Sequence, residues 1–209
     1  MPKLRGVVFD LDGTVVDSRL DFDRMREEIG IPGRQPVLEF VESQPEGEFK
    51  RRCREILLEH EFRGAREATL MPEMVGLLER LSALNLRQGI LTRNTRGPTQ
   101  LTLERLGLAG FSPVLTREDA PPKPDPLGLL MICEEWGVSP EEVIFVGDYR
   151  FDLLAGRRAG TKTVLYTSLE KHSAGLPDYH EDADFVTSSF GDWAGRFSEI
   201  AAEHLGFDA

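Results

Sequence analysis

Apolar and polar positions along this chain fall into three rhythms. Near the N-terminus Gly6-Val7-Val8-Phe9 is a short apolar run that stops at Asp10-Leu11-Asp12-Gly13-Thr14. Such a run with Gly punctuation predicts a buried strand entering a turn. From about residue 19 to 70 the spacing becomes helical, with Met25 and Ile29 on one face and Phe49, Cys53, Ile56, Leu57 and His60 on another. Pro32-Gly33 and Pro45-Glu46-Gly47 break this stretch, so three or so short helices with no strand between them are expected. From Pro72 onward the two periods alternate. Helices are predicted from Met74 to Leu84, Pro98 to Leu106, Leu127 to Trp136, Phe151 to Ala159 and about Phe190 to His204, with Gly160 as a C-cap. Strands are predicted at Gln88–Leu91, weakly at Pro113–Leu115, then at Val143–Val146, Thr163–Tyr166 and Asp184–Val186. Residues 168–183, rich in Ser, His, Gly, Pro and acids, read as a surface loop.

Alternating strands and helices imply an α/β fold, a doubly wound and mainly parallel sheet of Rossmann type. The all-helical stretch is then an insertion after the first strand. The expected division is a core of residues 1–18 plus 71–209 and a small helical cap of residues 19–70. A chain of 209 residues suits one buried α/β domain with an accessory unit better than two ordinary domains.

Composition narrows the function classes. The formal net charge of −11 argues against a nucleic-acid partner, whose affinity rests on neutralised phosphates. No run of about 18 apolar residues is present, so a membrane span is not expected. The first residues lack a signal-peptide pattern, so a cytoplasmic location is expected. Cys53 and Cys133 lie among helix-patterned residues and read as buried free thiols. An anionic ligand would need a local cation to overcome the global field.

Open parallel sheets bind ligands at the carboxyl ends of their strands. Three polar clusters fall there: Asp10 with Asp12, Thr92-Arg93-Asn94, and Asp148 with Asp152. Lys123 sits in the loop before the helix that starts near Pro126. Asp10 and Asp12 are two residues apart, so in an extended segment they share a face and repel. A divalent cation relieves that repulsion, and Mg²⁺ prefers carboxylate oxygens and commonly bridges to phosphate. One carboxylate is then free to attack phosphorus, while the second protonates the leaving oxygen and later activates water.

Four segments, in order, carry a resemblance. Phe9-Asp10-Leu11-Asp12-Gly13-Thr14 resembles the first motif of the haloacid dehalogenase-like (HAD) superfamily in its phosphatase form. Ile90-Leu91-Thr92-Arg93-Asn94 resembles the second, Lys123-Pro124-Asp125-Pro126 the third, and Val146-Gly147-Asp148-Tyr149-Arg150-Phe151-Asp152 the fourth. The resemblance spans the chain from the first strand to about residue 166. It implies Asp10 as nucleophile, Asp12 as general acid and base, Thr92 as a hydroxyl on the transferring phosphoryl group, and Lys123 as the balancing ammonium. It implies Mg²⁺ on Asp10, Asp148 and the main-chain carbonyl of Asp12, with Asp152 holding a metal-bound water or orienting Asp148. Gly13, Thr14, Thr92, Arg93, Asn94 and Lys123 are the implied substrate contacts.

The implied activity is a Mg²⁺-dependent phosphatase acting on a small phosphorylated metabolite, with the protein a monomer or homodimer. Asp12 argues against the dehalogenating branch, which lacks an aspartate there. Thr14 leans away from the mutases, and Lys50, the sole lysine of the insertion, leaves little for the phosphonate-cleaving branch. The insertion resembles the helical cap of the phosphoglycolate phosphatase subgroup but is shorter, and Tyr149 stands where that type often has Ser. Arg24, Arg51, Arg52 and Arg54 either meet a substrate carboxylate or second phosphate or, the favoured reading, form a solvated helix face. Arg93 and Arg150 face either substrate or solvent. The alternatives are a phosphotransferase or phosphomutase, and a non-catalytic phosphate-sensing protein with the same fold.

Overall fold

The computed structural model describes residues 2–168 and 175–208. The chain opens with β1 (Gly6–Phe9) and a two-residue strand β2 (Val16–Asp17), and then runs through helices α1 (Phe22–Ile29), α2 (Val37–Ser43) and α3 (Glu48–Glu67). After β3 (Thr69–Leu70) it alternates as α4 (Met74–Ala83), β4 (Arg87–Leu91), α5 (Arg96–Leu106), β5 (Val114–Leu115), α6 (Leu127–Trp136), β6 (Val143–Gly147), α7 (Arg150–Ala159), β7 (Lys162–Tyr166) and β8 (Phe185–Thr187). It closes with α8 (Phe190–Gly195) and α9 (Phe197–Glu203).

Six strands form one sheet in the order β5-β4-β1-β6-β7-β8, every neighbouring pair parallel. β1 is central, paired with β4 on one side and β6 on the other. The chain leaves β1 to build one half of the sheet and returns to build the other, so the crevice beyond the end of β1 is a topological switch point.

The strands are apolar on both faces because helices cover both. Val7, Phe9, Ile144 and Val146 pack with Met74, Leu77 and Leu81 of α4 and with Phe190, Trp193 and Phe197 of α8 and α9. Val8 and Phe145 point the other way, to Leu129 and Ile132 of α6 and Ala155 of α7. The alternation within β1 and β6 is the two-residue period of a strand.

The insertion has its own apolar cluster, made by Met25, Ile29, Val37, Val41, Cys53 and Leu57. Lys50 of α3 is little exposed, bonded to Glu46 at 2.8 Å and to the main-chain oxygen of Glu42 at 2.9 Å. His60 is buried against Glu28 at 2.8 Å. Cys53 and Cys133 are buried free thiols, as the sequence suggested.

Three details differ from the sequence reading. α3 is a single helix of 20 residues, not a short one. The insertion is bounded by a two-stranded antiparallel ribbon, Val16 against Leu70 and Asp17 against Thr69, too short to show a period. The C-terminal helix breaks at Arg196 into two pieces. Within the loop expected over 168–183, residues 169–174, with His172, lie outside the described residues, and His180–Asp182 forms a short 3-10 turn. Among the described residues, no helix is long and apolar enough to cross a membrane.

Candidate active site

The site is built at the carboxyl ends of β1, β4 and β6. Asp10 continues β1 for one residue, its N–H donating to the Val146 oxygen at 2.8 Å. The chain then turns back sharply. The Leu11 oxygen accepts from the N–H groups of Val15 and Val16 at 2.9 and 3.0 Å, and Leu11 itself is buried. This pins the leucine inward and leaves Asp10 and Asp12 on either side of it. Gly13 has φ +86°, and a Cβ there would lie 2.4 Å from Asp148 Oδ2. Glycine is required twice, by the backbone and by the close approach of that carboxylate.

Asp10, Asp148 and Asp152 each offer one carboxylate oxygen, all within 4.8 Å of one another. Lys123, 2% exposed, binds Asp10 and, at 2.7 Å, Asp152 Oδ1. The second Asp152 oxygen accepts from the Tyr149 N–H at 3.0 Å, closing the first turn of α7. Asp152 therefore caps its helix and fixes the ammonium together. Gly147 makes room, since a Cβ there would lie 2.4 Å from Asp152 Cγ.

Burial pushes the Asp10 carboxyl well above the usual range. Lys123 pulls it back, and Asp152, Asp148 and Asp12 push it further up. Burial opposes the Lys123 charge, yet Asp10 and Asp152 hold that group above an ordinary lysine. Asp12 is also raised by burial, against hydrogen bonds from Ser18 and Asn94.

Asn94 Nδ2 donates to Asp12 Oδ2 at 2.6 Å, and the Asn94 N–H donates to Thr92 Oγ1 at 3.1 Å. The end of β4 thus positions the Asp12 carboxylate that follows β1. A cleft of about 500 Å³ opens above these groups. Asp10, Asp12, Gly13, Arg93, Asn94, Lys123, Asp148 and Asp152 all line it. Thr14 and Thr92 are buried and do not line it; the Thr14 hydroxyl has no hydrogen-bond partner among the described residues. Arg93 faces the cleft with its guanidinium 2.5 Å from Glu39 and 4.7 Å over the Phe151 ring, whereas Arg150 is exposed and away from it. Of the insertion arginines, Arg24 pairs with Glu28 and Arg54 with Glu42.

Several lining residues were not singled out from sequence. Glu61 of α3 is buried, binds Arg117, and accepts from the Thr95 N–H and hydroxyl at 3.1 and 2.8 Å. Arg117 also donates to the Arg93 oxygen at 2.5 Å. A signal for Glu61 existed: it follows Cys53 and Leu57 at four-residue spacing, on the buried face of α3. Arg26, Glu39 and Arg117 carried none.

An all-oxygen donor set of three clustered carboxylates suits a hard divalent cation, and the charge that burial penalises at Asp10 is the charge such a cation compensates.

Known proteins share the sequence pattern and the fold. The haloacid dehalogenase-like hydrolase family matches residues 19–166. A haloacid dehalogenase-like hydrolase domain-containing protein of Arabidopsis thaliana is 33% identical over 201 residues, covering 87% of this chain and 81% of its own. The phosphoglycolate phosphatase of Aquifex aeolicus is 27% identical, covering 84% of this chain and 91% of its own. The crystal structure of a hydrolase from Pseudomonas syringae superimposes with a TM-score of 0.75 at 23% identity, over 94% of this chain and 99% of that one. The chain belongs to the haloacid dehalogenase-like hydrolase family.

Proposed function

We propose that this protein is a phosphatase that hydrolyses a small-molecule phosphomonoester through an aspartyl-phosphate on Asp10, with residues 19–70 as a cap over a core of residues 1–18 and 71–209. The observation that carries it is the convergence of a buried Asp10–Lys123–Asp152 cluster, Asp148 and an Asn94-held Asp12 on one cleft. The phosphatase named among its relatives supports the same reading.

Asp10, Asp148 and the Asp12 carbonyl are the groups that would hold Mg²⁺, which when bound neutralises phosphate charge and the mutual repulsion of the carboxylates. The chain's own residues do the rest. An Asp10 carboxylate oxygen attacks phosphorus and forms an acyl-phosphate bond. The bond from phosphorus to the ester oxygen breaks, and Asp12 passes its proton to that oxygen. Asp12 then takes a proton from water, which attacks phosphorus and breaks the bond to Asp10. Inorganic phosphate leaves, and both carboxylates return to their starting state. Lys123 stays fixed by Asp152 and balances charge between Asp10 and the phosphoryl group. Thr92, through the Asn94 N–H, shapes the strand end that faces the phosphoryl oxygens.

The test is release of inorganic phosphate from p-nitrophenyl phosphate or acetyl phosphate with Mg²⁺ present, with Asp10→Asn losing activity to background. A folded sample without turnover, or an Asp10→Asn variant that retains it, would refute the reading.

A further inference from the structure

The cleft continues past the carboxylates into the insertion, where Leu20, Phe22, Met25, Val37, Leu38 and Leu57 form its wall. Clefts of about 300–1,000 Å³ hold whole organic ligands, and this one, at about 500 Å³, has room well beyond a phosphate. Phe22 and Tyr149, both lining it, remain 52% and 46% exposed. Apolar surface facing a cleft is surface that a ligand can remove from water.

Four of the five cationic side chains of the cleft are already held by carboxylates, and the lining is negative in sum. Seven carboxylates and five cationic side chains line it. Lys123 is held by Asp10 and Asp152, Arg117 by Glu61, Arg93 by Glu39 at 2.5 Å and Arg26 by Asp23 at 2.7 Å. Arg19 has only a 3.9 Å approach to Asp17 and lies 66% exposed. A divalent cation and a phosphate dianion cancel, so the lining keeps its excess of two negative charges, or one if Asp12 is protonated. A further carboxylate or phosphate on the substrate would enter against that excess, in a partly buried space where salt screens less than in open solvent.

We infer that the leaving alcohol of the substrate is uncharged and presents an apolar face to the insertion, and that Glu39 enforces this by holding Arg93 away from any second anion. The inference rests on the phosphatase reading above. It separates this protein from a phosphoglycolate or diphosphate type of substrate, each of which carries an extra negative group. The selecting device is the carboxylate partner as much as the apolar wall, because specificity is a difference between two affinities.

The experiment compares two esters of similar shape, p-tolyl phosphate and 4-carboxyphenyl phosphate, with Mg²⁺ present, on the parent protein and on Glu39→Gln. The parent is expected to favour the neutral ester by about tenfold or more in kcat/KM, or roughly 1.4 kcal/mol. Glu39→Gln, which frees Arg93, is expected to shrink that ratio severalfold by raising kcat/KM for the carboxylated ester. Binding of the same two esters to Asp10→Asn by calorimetry should show the same preference without turnover. Equal or better use of the carboxylated ester by the parent, or a ratio that Glu39→Gln leaves untouched, would overturn the inference while leaving the phosphatase reading standing. No phosphate release from either ester or from acetyl phosphate would bring down both.

Discussion

Asn94 shows how one residue links two strands' chemistry. Its amide holds the Asp12 carboxylate at 2.6 Å, so removing it leaves the proposed acid unaimed. General acid catalysis is worth about 10²–10⁴ in rate, and it matters most for a poor leaving group. Asn94→Ala is therefore expected to lower kcat/KM, which reports the step that expels the leaving group, by about tenfold or more for an alkyl phosphate and much less for p-nitrophenyl phosphate, whose phenolate leaves unaided. Steady-state kinetics on the two esters checks this, and an equal loss on both would deny Asn94 a role through Asp12. At this scale the sequence carried much of the site, because Asp10, Asp12 and Asp148 stand just past strand ends, and Lys123 and Asp152 fall in recognisable segments of the loop before α6 and the first turn of α7. Glu39 and Arg117 were not legible. Their partners lie 54 and 56 residues away, and nothing local marks a pairing that only the folded chain creates.

Among the elements, the turn after β1 is the most constrained. Gly13→Ala places a methyl group 2.4 Å from Asp148 Oδ2 at a φ of +86°. Mg²⁺ affinity, read by calorimetry, is expected to fall by about tenfold or more, as for disturbed ligand supports generally, with the circular dichroism spectrum unchanged. At the far edge of the sheet, Asp184 accepts from the Thr163 N–H at 2.8 Å and joins β7 to the entry of β8. Burial would raise this carboxyl, but the Thr163 N–H and hydroxyl and Lys162 outweigh it and hold it below the ordinary value of 3.8. A lowered carboxylate stabilises the fold fully above its unfolded value, and that contribution is lost as pH falls toward the folded value. The parent should therefore exceed Asp184→Asn in Tm at neutral pH, and the gap should close as pH is taken below 3.8. Helices and central strands were legible because their apolar periods run for several residues. β2 and β3, two residues each, are set by pairing across the base of the insertion, whereas the break at Arg196 directly follows Gly195, whose low helix propensity is a local signal the apolar pattern overrode.

For the molecule as a whole, a formal charge of −11 surrounds a site read as accepting a dianion. Long-range repulsion is screened over about 8 Å at physiological salt. At saturating Mg²⁺, kcat/KM for p-nitrophenyl phosphate is expected to rise as ionic strength goes from low to physiological, opposite to an enzyme that steers its substrate by charge. A fall would show that the local cations dominate the approach. α3 bears on the same question of access. Its first half, with Cys53 and Leu57, carries the apolar cluster of α1 and α2, and its second half is fastened to the core by Glu61 and by Arg105, which donates to the Ala65 oxygen at 2.8 Å. Glu61→Ala strands Arg117 and should cost toward the lower end of about 3–5 kcal/mol in urea unfolding, since the Arg93 oxygen still accepts from it. One helix thus makes contacts in both the insertion and the sheet domain. A vestibule spanned in this way has its shape before any visitor arrives, so small-angle scattering profiles taken with and without orthovanadate should superimpose.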